Sequence, residues 1–430
     1  MGKGRAVARP RLGGRRELCT SDSYLKRLQP VPYCHFGRTV RQGRRIDRFV
    51  TGAYPTLEAR KIIRRLGLSE QVKIARLLGR EEAIPPEKVR ALWLSEVLFQ
   101  AGHVAPLLAP LKVAALRAYG RTAAKLLPQA VRDGARIYHY RAGFGGRSVD
   151  VARKLGMITL CDHSIVHPTF VASLPESRGR LETARLDPPT DPFERHILED
   201  IDAADHLLLN SAFVKQTFLR LHYPKEKLNV VYQGIDDAFL RDLPARGQIR
   251  SGPLRLLAPA FSLRKGAPTI ARALSELDDV DWSLTISRSI GPDMKSEFGD
   301  FLAHPRVTCI EPERTELGRV MTEHEVVIFP SYAEGSARII FESLAAGAYV
   351  ITSPNAGSVV EDGVHGRLIS PWDENELRKV IRHAALIRDD LPKIGAASAA
   401  FVRERYSQSG YGREVLALYQ RLLAPEPALA

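Results

Sequence analysis

Cysteine is scarce: Cys19, Cys34, Cys161 and Cys309 are four positions in 430 residues, with no CxxC pair among them. That excludes a disulfide scaffold and points to a reducing, cytoplasmic compartment. Long apolar runs are missing too. The most apolar stretch, Val104 to Ala118, is broken by Pro106, Pro110 and Lys112, and falls short of the roughly 20 apolar residues that span a bilayer. Lys3, Arg5, Arg9 and Arg11 open the chain with no apolar core behind them, so no secretory signal is expected. No internal repeat is evident.

What is present has the balance of an ordinary globular protein, 44% hydrophobic and 26% charged. A length of 430 residues exceeds one hydrophobic core and predicts two α/β domains. The formal charge of +14 is concentrated: residues 1 to 50 hold 13 Lys or Arg against 3 acidic residues. A uniformly basic body would suggest nucleic acid. A basic end on a near-neutral body instead fits anionic lipid headgroups or an anionic glycan, with a solvated tail as the plainer alternative.

From Ala135 onward short apolar runs alternate with helical stretches, the pattern of parallel sheets with crossover helices. Expected strands are 135–139, 157–161, 206–209 and 229–232, then 254–258, 282–287, 307–310, 326–329 and 349–352. Asp47 to Tyr54 is a further strand candidate, and residues 58–128 read as mostly helical. Between the two strand sets, 241–253 is polar and carries Pro244, Gly247, Gly252 and Pro253, which marks a linker. The expected organisation is therefore a first domain over 1–240, with 1–47 atypical and basic, a linker over 241–253 and a second domain over 254–400. A C-terminal helix within 401–430 returns to the first domain.

The most informative segment is "FPSYAEGSARIIFESLAAG", Phe329 to Gly347. A buried strand ends at Pro330, a loop follows, and a helix is expected to begin near Gly335. Open amides at a helix start bind anions, so Gly335, Ser336 and Ala337 are candidate diphosphate ligands. Glu334 and Glu342 have seven residues between them, roughly 12 Å along a helix, the reach from a donor sugar to a nucleotide ribose. For a glutamate pair alone the plainer reading is favoured, in which one stabilises a helix start and the other faces solvent. His163 and His167 are four apart, but Pro168 argues against a helical metal pair.

With its flanks this segment closely resembles the Glu-seven-Glu motif of family 4 retaining glycosyltransferases, and that context reverses the reading of the pair. "AYVITSPNAGSVVEDGVHGRLISP", Ala348 to Pro371, resembles the family's strand, glycine turn and acidic loop. "LLAPAFSLRKGAPTIARAL", Leu256 to Leu274, resembles its phosphate-binding strand and loop. The resemblance implies a GT-B fold, two Rossmann-like domains facing each other across a central cleft. It implies that Glu334 contacts the donor sugar, Glu342 the ribose, and Lys265 the diphosphate with help from Arg264. Ala260 departs from the family, which often has an arginine there.

"ARIYHYRAGFGGRSVDVARKLGMITLCDHSIVHP", Ala135 to Pro168, resembles the strand that ends in the family's active-site histidine, and His163 is the matching residue. Taken alone, a histidine there is more often a structural hydrogen-bonder. The activity implied is transfer, with retention, of a hexose-type sugar from a nucleotide-sugar donor to a glycan or lipid-linked acceptor. The protein supplies its own cations, so neither a metal nor a cofactor is expected. Two alternatives share the pocket: a sugar-nucleotide epimerase or hydrolase, and a catalytically weak nucleotide-sugar-binding partner subunit.

Overall fold

A computed structural model describes residues 33–38, 48–51, 89–104, 110–247 and 251–424, with Arg65 and Leu108 as single positions. Most of the basic segment 1–50, and most of 52–88, lie outside the described residues. Two sheets organise the chain. The first has the order β3-β2-β1-β4-β5-β6-β7, with β1 at Tyr33–Arg38, β2 at Arg48–Thr51, β3 at Val89–Ala91, β4 at Ala135–Arg141, β5 at Ile158–His163, β6 at His206–Leu209 and β7 at Leu228–Val230. β1 runs antiparallel to β2 and β4, and the other pairings are parallel.

The second sheet, β10-β9-β8-β11-β12-β13, is parallel throughout. Its strands are β8 at Leu254–Ala258, β9 at Trp282–Ile286, β10 at Val307–Cys309, β11 at Val326–Phe329, β12 at Tyr349–Thr352 and β13 at Gly366–Leu368. β11 and β12 are buried along their whole length, as continuous apolar runs must be when helices cover both faces. Strand order reverses between β8 and β11, and the loops that leave their carboxyl ends diverge to open a crevice there.

The helices used below are α1 (Trp93–Val104), α2 (Pro110–Arg132), α3 (Arg147–Lys154), α4 (Pro168–Ser177), α5 (Pro192–Ala203), α6 (Ala212–Leu219), α7 (Asp237–Asp242), α8 (Ala267–Ser275), α9 (Arg338–Ala345), α10 (Glu374–Leu386), α11 (Leu391–Arg405) and α12 (Gln408–Leu423). Local chemistry sets their starts. Ser211 Oγ accepts from Val214 N–H at the head of α6, Asp191 from Phe193 N–H at α5, and Ser407 from Gly410 N–H at α12. Pro168 is the first residue of α4, where its missing N–H costs nothing, and so it starts a helix rather than preventing one.

Three further points depart from the sequence reading. Within the stretch read as helical, Val89–Ala91 pairs with β2 as a strand. The linker region begins inside α7. Its Arg246 is anchored to the second domain, donating to the carbonyls of His324 (2.5 Å) and Ala346 (3.1 Å), because a mostly buried guanidinium must find acceptors.

Each sheet has its own core, around Tyr119, Tyr138 and Phe170 in the first domain and around Leu256, Trp282 and Ile328 in the second. α12 packs Tyr411, Val415, Leu418 and Tyr419 against Ile137, Leu160 and Leu208 of the first sheet. His139 Nδ1 and the Tyr419 hydroxyl meet at 2.5 Å within that contact. Where the chain recrosses, Ile235 N–H donates to the Tyr406 carbonyl at 2.6 Å. A Cβ on Gly234 would collide with that same carbonyl oxygen.

Candidate active site

β11 ends at Phe329 and hands the chain to a tightly held loop. Tyr332 N–H donates to the Arg264 carbonyl at 2.8 Å and Glu334 N–H to the Asn355 carbonyl at 2.8 Å. Asn355 Nδ2 donates to the Tyr332 carbonyl at 2.9 Å and, across the crevice, to the Gly179 carbonyl at 2.6 Å. Tyr332 and Ala333 are buried in the core of the first domain. The loop that carries Glu334 therefore also ties the two domains together.

The segment after β8 meets this loop. A short turn at Leu263–Lys265 ends in Gly266, whose φ of 79° lies in the left-handed region, and a Cβ there would strike the Pro330 carbonyl. That turn sets Arg264 and Lys265 on Glu334. Arg264 Nη1 donates to Glu334 Oε1 at 2.9 Å, the Lys265 ammonium binds the same oxygen, and Ser331 Oγ donates to it at 3.1 Å. Burial pulls the Lys265 pKa down, Glu334 opposes that, and the nearby Arg264 and Arg288 guanidiniums reinforce it. Two cations of one turn thus converge on this carboxylate, with Arg288 of the loop after β9 near enough to act on Lys265.

The helix begins later than expected, at Arg338 rather than near Gly335, with Ala337 as its cap. Ala337 N–H is taken by the Ala356 carbonyl at 3.0 Å, so it is not available to a diphosphate. Among the described residues Gly335 and Ser336 keep amides without a backbone partner, and Ser336 Oγ is buried without a hydrogen-bond partner. Gly335 presses on the first domain: a Cβ would overlap the Ser164 carbonyl and stand 2.5 Å from Asn210 Nδ2. Asn210 donates to that Ser164 carbonyl at 3.0 Å.

Glu342 sits in α9, 1% exposed, and does not face the crevice unpaired. Arg314 grips it in a fork, Nη1 to Oε2 at 3.1 Å and Nη2 to Oε1. That guanidinium also stacks 5.4 Å from the Phe239 ring, and its pKa is raised chiefly by the bond to Glu342. Nothing in the periodicity of the loop after β10 singles out Arg314. Ala260 is half-buried against the core, and Arg288, in the loop after β9, lies close enough to Lys265 to lower its pKa.

His163 ends β5, 6% exposed, with Nε2 3.2 Å from the Val166 carbonyl and its ring edge-on to Phe218. Burial lowers its pKa to about 4, outweighing the contribution of the Val166 carbonyl, so the imidazole is neutral at neutral pH. It lines a cavity of about 410 Å³ with Arg141, Asp162, Phe99, Phe144 and Phe193. His167 is not its helical partner: it caps α4, its Nδ1 accepting from Thr169 N–H.

Among the described residues no group of three His, Cys, Asp or Glu is arranged to hold a metal ion. An Asp-x-Asp triplet does occur, Asp279-Val280-Asp281, but it precedes β9, at the end of the sheet opposite the crevice, and Asp279 is paired with Arg382 at 2.6 Å. No described helix is long and apolar enough to cross a membrane.

Comparison with known proteins agrees with this architecture. Residues 256–385 match the family described as glycosyl transferases group 1. D-inositol 3-phosphate glycosyltransferase of Mycobacterium ulcerans (strain Agy99) is 27% identical over 242 residues, 52% of this chain and 52% of the relative. The chain thus spans about half the length of the curated relatives it matches. Among solved structures, sucrose-phosphate synthase from Thermosynechococcus elongatus aligns with a TM-score of 0.54 at 20% identity, covering 79% of this chain and 80% of that one. Anabaena Alr3699/HepE in complex with UDP aligns with a TM-score of 0.52 at 15% identity, over 70% and 82%. The fold is GT-B.

Proposed function

We propose that the chain is a retaining glycosyltransferase that moves a hexose-type sugar from a nucleotide-sugar donor to a glycan or lipid-linked acceptor. The observation that carries this reading is the convergence of Arg264, Lys265 and Glu334 at the strand-order reversal of the second sheet, pressed against Ser164 and Asn210 of the first domain. The family match over 256–385 and the names of the relatives support the same class.

When the bond from sugar to diphosphate breaks, negative charge grows on the leaving group. Fixed cations and amides stabilise that charge more than the ground state. Lys265, Arg264 and the open amides of Gly335 and Ser336 are the donors assigned to it. Arg288 takes the place of the arginine missing at Ala260. Donor binding draws the two cations from Glu334, which then turns to the sugar's hydroxyls, while Glu342 receives the ribose once Arg314 releases it.

Neutral His163 hydrogen-bonds the sugar and orients the acceptor, which occupies the adjoining cavity and attacks on the face the diphosphate leaves. Cations of the protein itself make metal unnecessary in this scheme, and no cofactor beyond the donor takes part. Peripheral contact with an anionic membrane is supported by the basic first 50 residues and by the exposed Trp93, Leu94 and Val97 on α1.

A thermal-shift screen of nucleotide sugars tests the donor site, since a ligand that binds only the folded state raises its melting point. The expected result is one nucleotide sugar that stabilises the protein, with the shift lost in Glu342→Ala and turnover unchanged by EDTA. Stabilisation by no nucleotide sugar, or a shift that survives Glu342→Ala, would overturn the reading.

A further inference from the structure

The N-terminal domain holds a second pocket, of about 450 Å³, on the far side of α5 from the His163 cavity. Phe193 and Ile197 face the first cavity, and His196 and Asp200 on the same helix face the second. We propose that this second pocket is a binding site for a compact dianion of the phosphate class, held by Arg117, Arg121, Arg147 and His196.

The charges are arranged against local preference. Arg117 and Arg121 stand one turn apart on α2, where like charges repel. Arg147 is the first residue of α3, where a cation opposes the helix dipole. None of the three guanidiniums has an ion-pair or hydrogen-bond partner among the described residues. A bound anion would relieve all three at once.

The acidic residues of the pocket do not answer them. Asp200 is consumed by the glycine loop, its two oxygens accepting from Gly145 N–H at 2.7 Å and Gly146 N–H at 2.6 Å. The Glu199 side chain is 69% exposed and turned toward solvent, with Oε2 3.5 Å from His196 Nδ1. Asp150 lies exposed on α3.

His196 is the independent indication. Its ring is buried, 4% exposed, yet among the described residues neither nitrogen has a hydrogen-bond partner, and the 3.5 Å to Glu199 is too long to supply one. Buried polar groups left this way are costly and rare in folded proteins. The ring lies over Gly146: a Cβ built there would stand 3.8 Å from His196 Cε1. Gly146 caps α3 with no side chain of its own to satisfy that terminus. In either neutral tautomer the imidazole offers one N–H, and with the guanidinium forks it matches the several acceptor oxygens of a phosphoryl group.

The test is isothermal titration of the full chain with inorganic phosphate at fixed ionic strength, each variant compared with the parent so that any binding in the donor crevice is common to both. Arg117→Gln/Arg121→Gln should weaken binding by at least ~10-fold, as expected for the loss of charge-assisted bonds. Lys125→Gln, exposed on the same helix but outside the pocket, should leave it unchanged. Repeating the titration with a hexose phosphate distinguishes two sources. Tighter binding than inorganic phosphate, lost in the double variant, assigns the site to a sugar phosphate; equal binding assigns it to the free phosphoryl group. Absence of phosphate binding in the parent, or binding unchanged in the double variant, overturns the site whatever the activity of the enzyme.

Discussion

Replacing Arg314 by alanine separates the structural duty of Glu342 from its proposed work on the nucleotide. The Glu342 carboxylate is 1% exposed and is gripped by both Arg314 nitrogens. Removing one partner of a fully buried pair typically costs 3–5 kcal/mol, because a charge is left without compensation. The Arg314 side chain is itself 51% exposed, so solvent already screens the pair and water can enter the gap. A loss of about 2 kcal/mol is the reasonable expectation. For a cooperative unit of roughly 150–250 residues that lowers the melting point by about 4–8 °C.

Glu342→Gln in the Arg314→Ala background should recover much of the loss, since it removes the stranded charge. Arg314→Ala alone, with Glu342 kept, should bind nucleotide more tightly, by up to ~10-fold, or about 1.4 kcal/mol, because the ribose no longer has to displace a guanidinium. Scanning calorimetry and titration with UDP and GDP measure the two effects. Weaker nucleotide binding with an unaltered melting point would refute the reasoning and make Arg314 itself a nucleotide ligand.

Three other outcomes are expected. Lys265→Gln should lower kcat about 10²- to 10³-fold with a smaller change in donor affinity, as the loss of a transition-state contact does; steady-state kinetics checks this. Gly335→Ala should push the domains apart at Ser164 and Asn210, lowering the melting point and enlarging the radius of gyration in small-angle scattering. His163, with a pKa lowered to about 4 in the folded state against about 6.5 unfolded, binds fewer protons when folded. Its contribution of about 3 kcal/mol is therefore whole above pH 6.5 and is lost as pH falls from 6.5 to 4. Urea unfolding across that range should show His163→Asn losing less stability with acid than the parent, by about 1.4 kcal/mol per pH unit.

Much of the architecture was legible because its signals are local. Strands such as Val326–Phe329 and Tyr349–Thr352 are short apolar runs bounded by turns, and a strand buried on both faces has no other way to appear. Ser211 before an apolar stretch reads as a cap for the same reason. The loop at Lys265–Gly266 was visible only through its resemblance to a family segment; that Gly266 is required there by the Pro330 carbonyl came from the structure.

What sequence alone determined, then, is the alternation of strands and helices, the turn chemistry and the residue types at each loop. Tertiary structure decided which of those loops meet. Arg314 reaches Glu342 across 28 positions, Ala356 takes the amide of Ala337 from outside its helix, and Gly335 rests on Ser164 of another domain. α12 lies on a sheet completed nearly 180 residues before it. Each of these contacts depends on strand order and on the path of the crossovers, and local periodicity carries neither, because a residue's spacing from its neighbours does not say which distant surface it will cover.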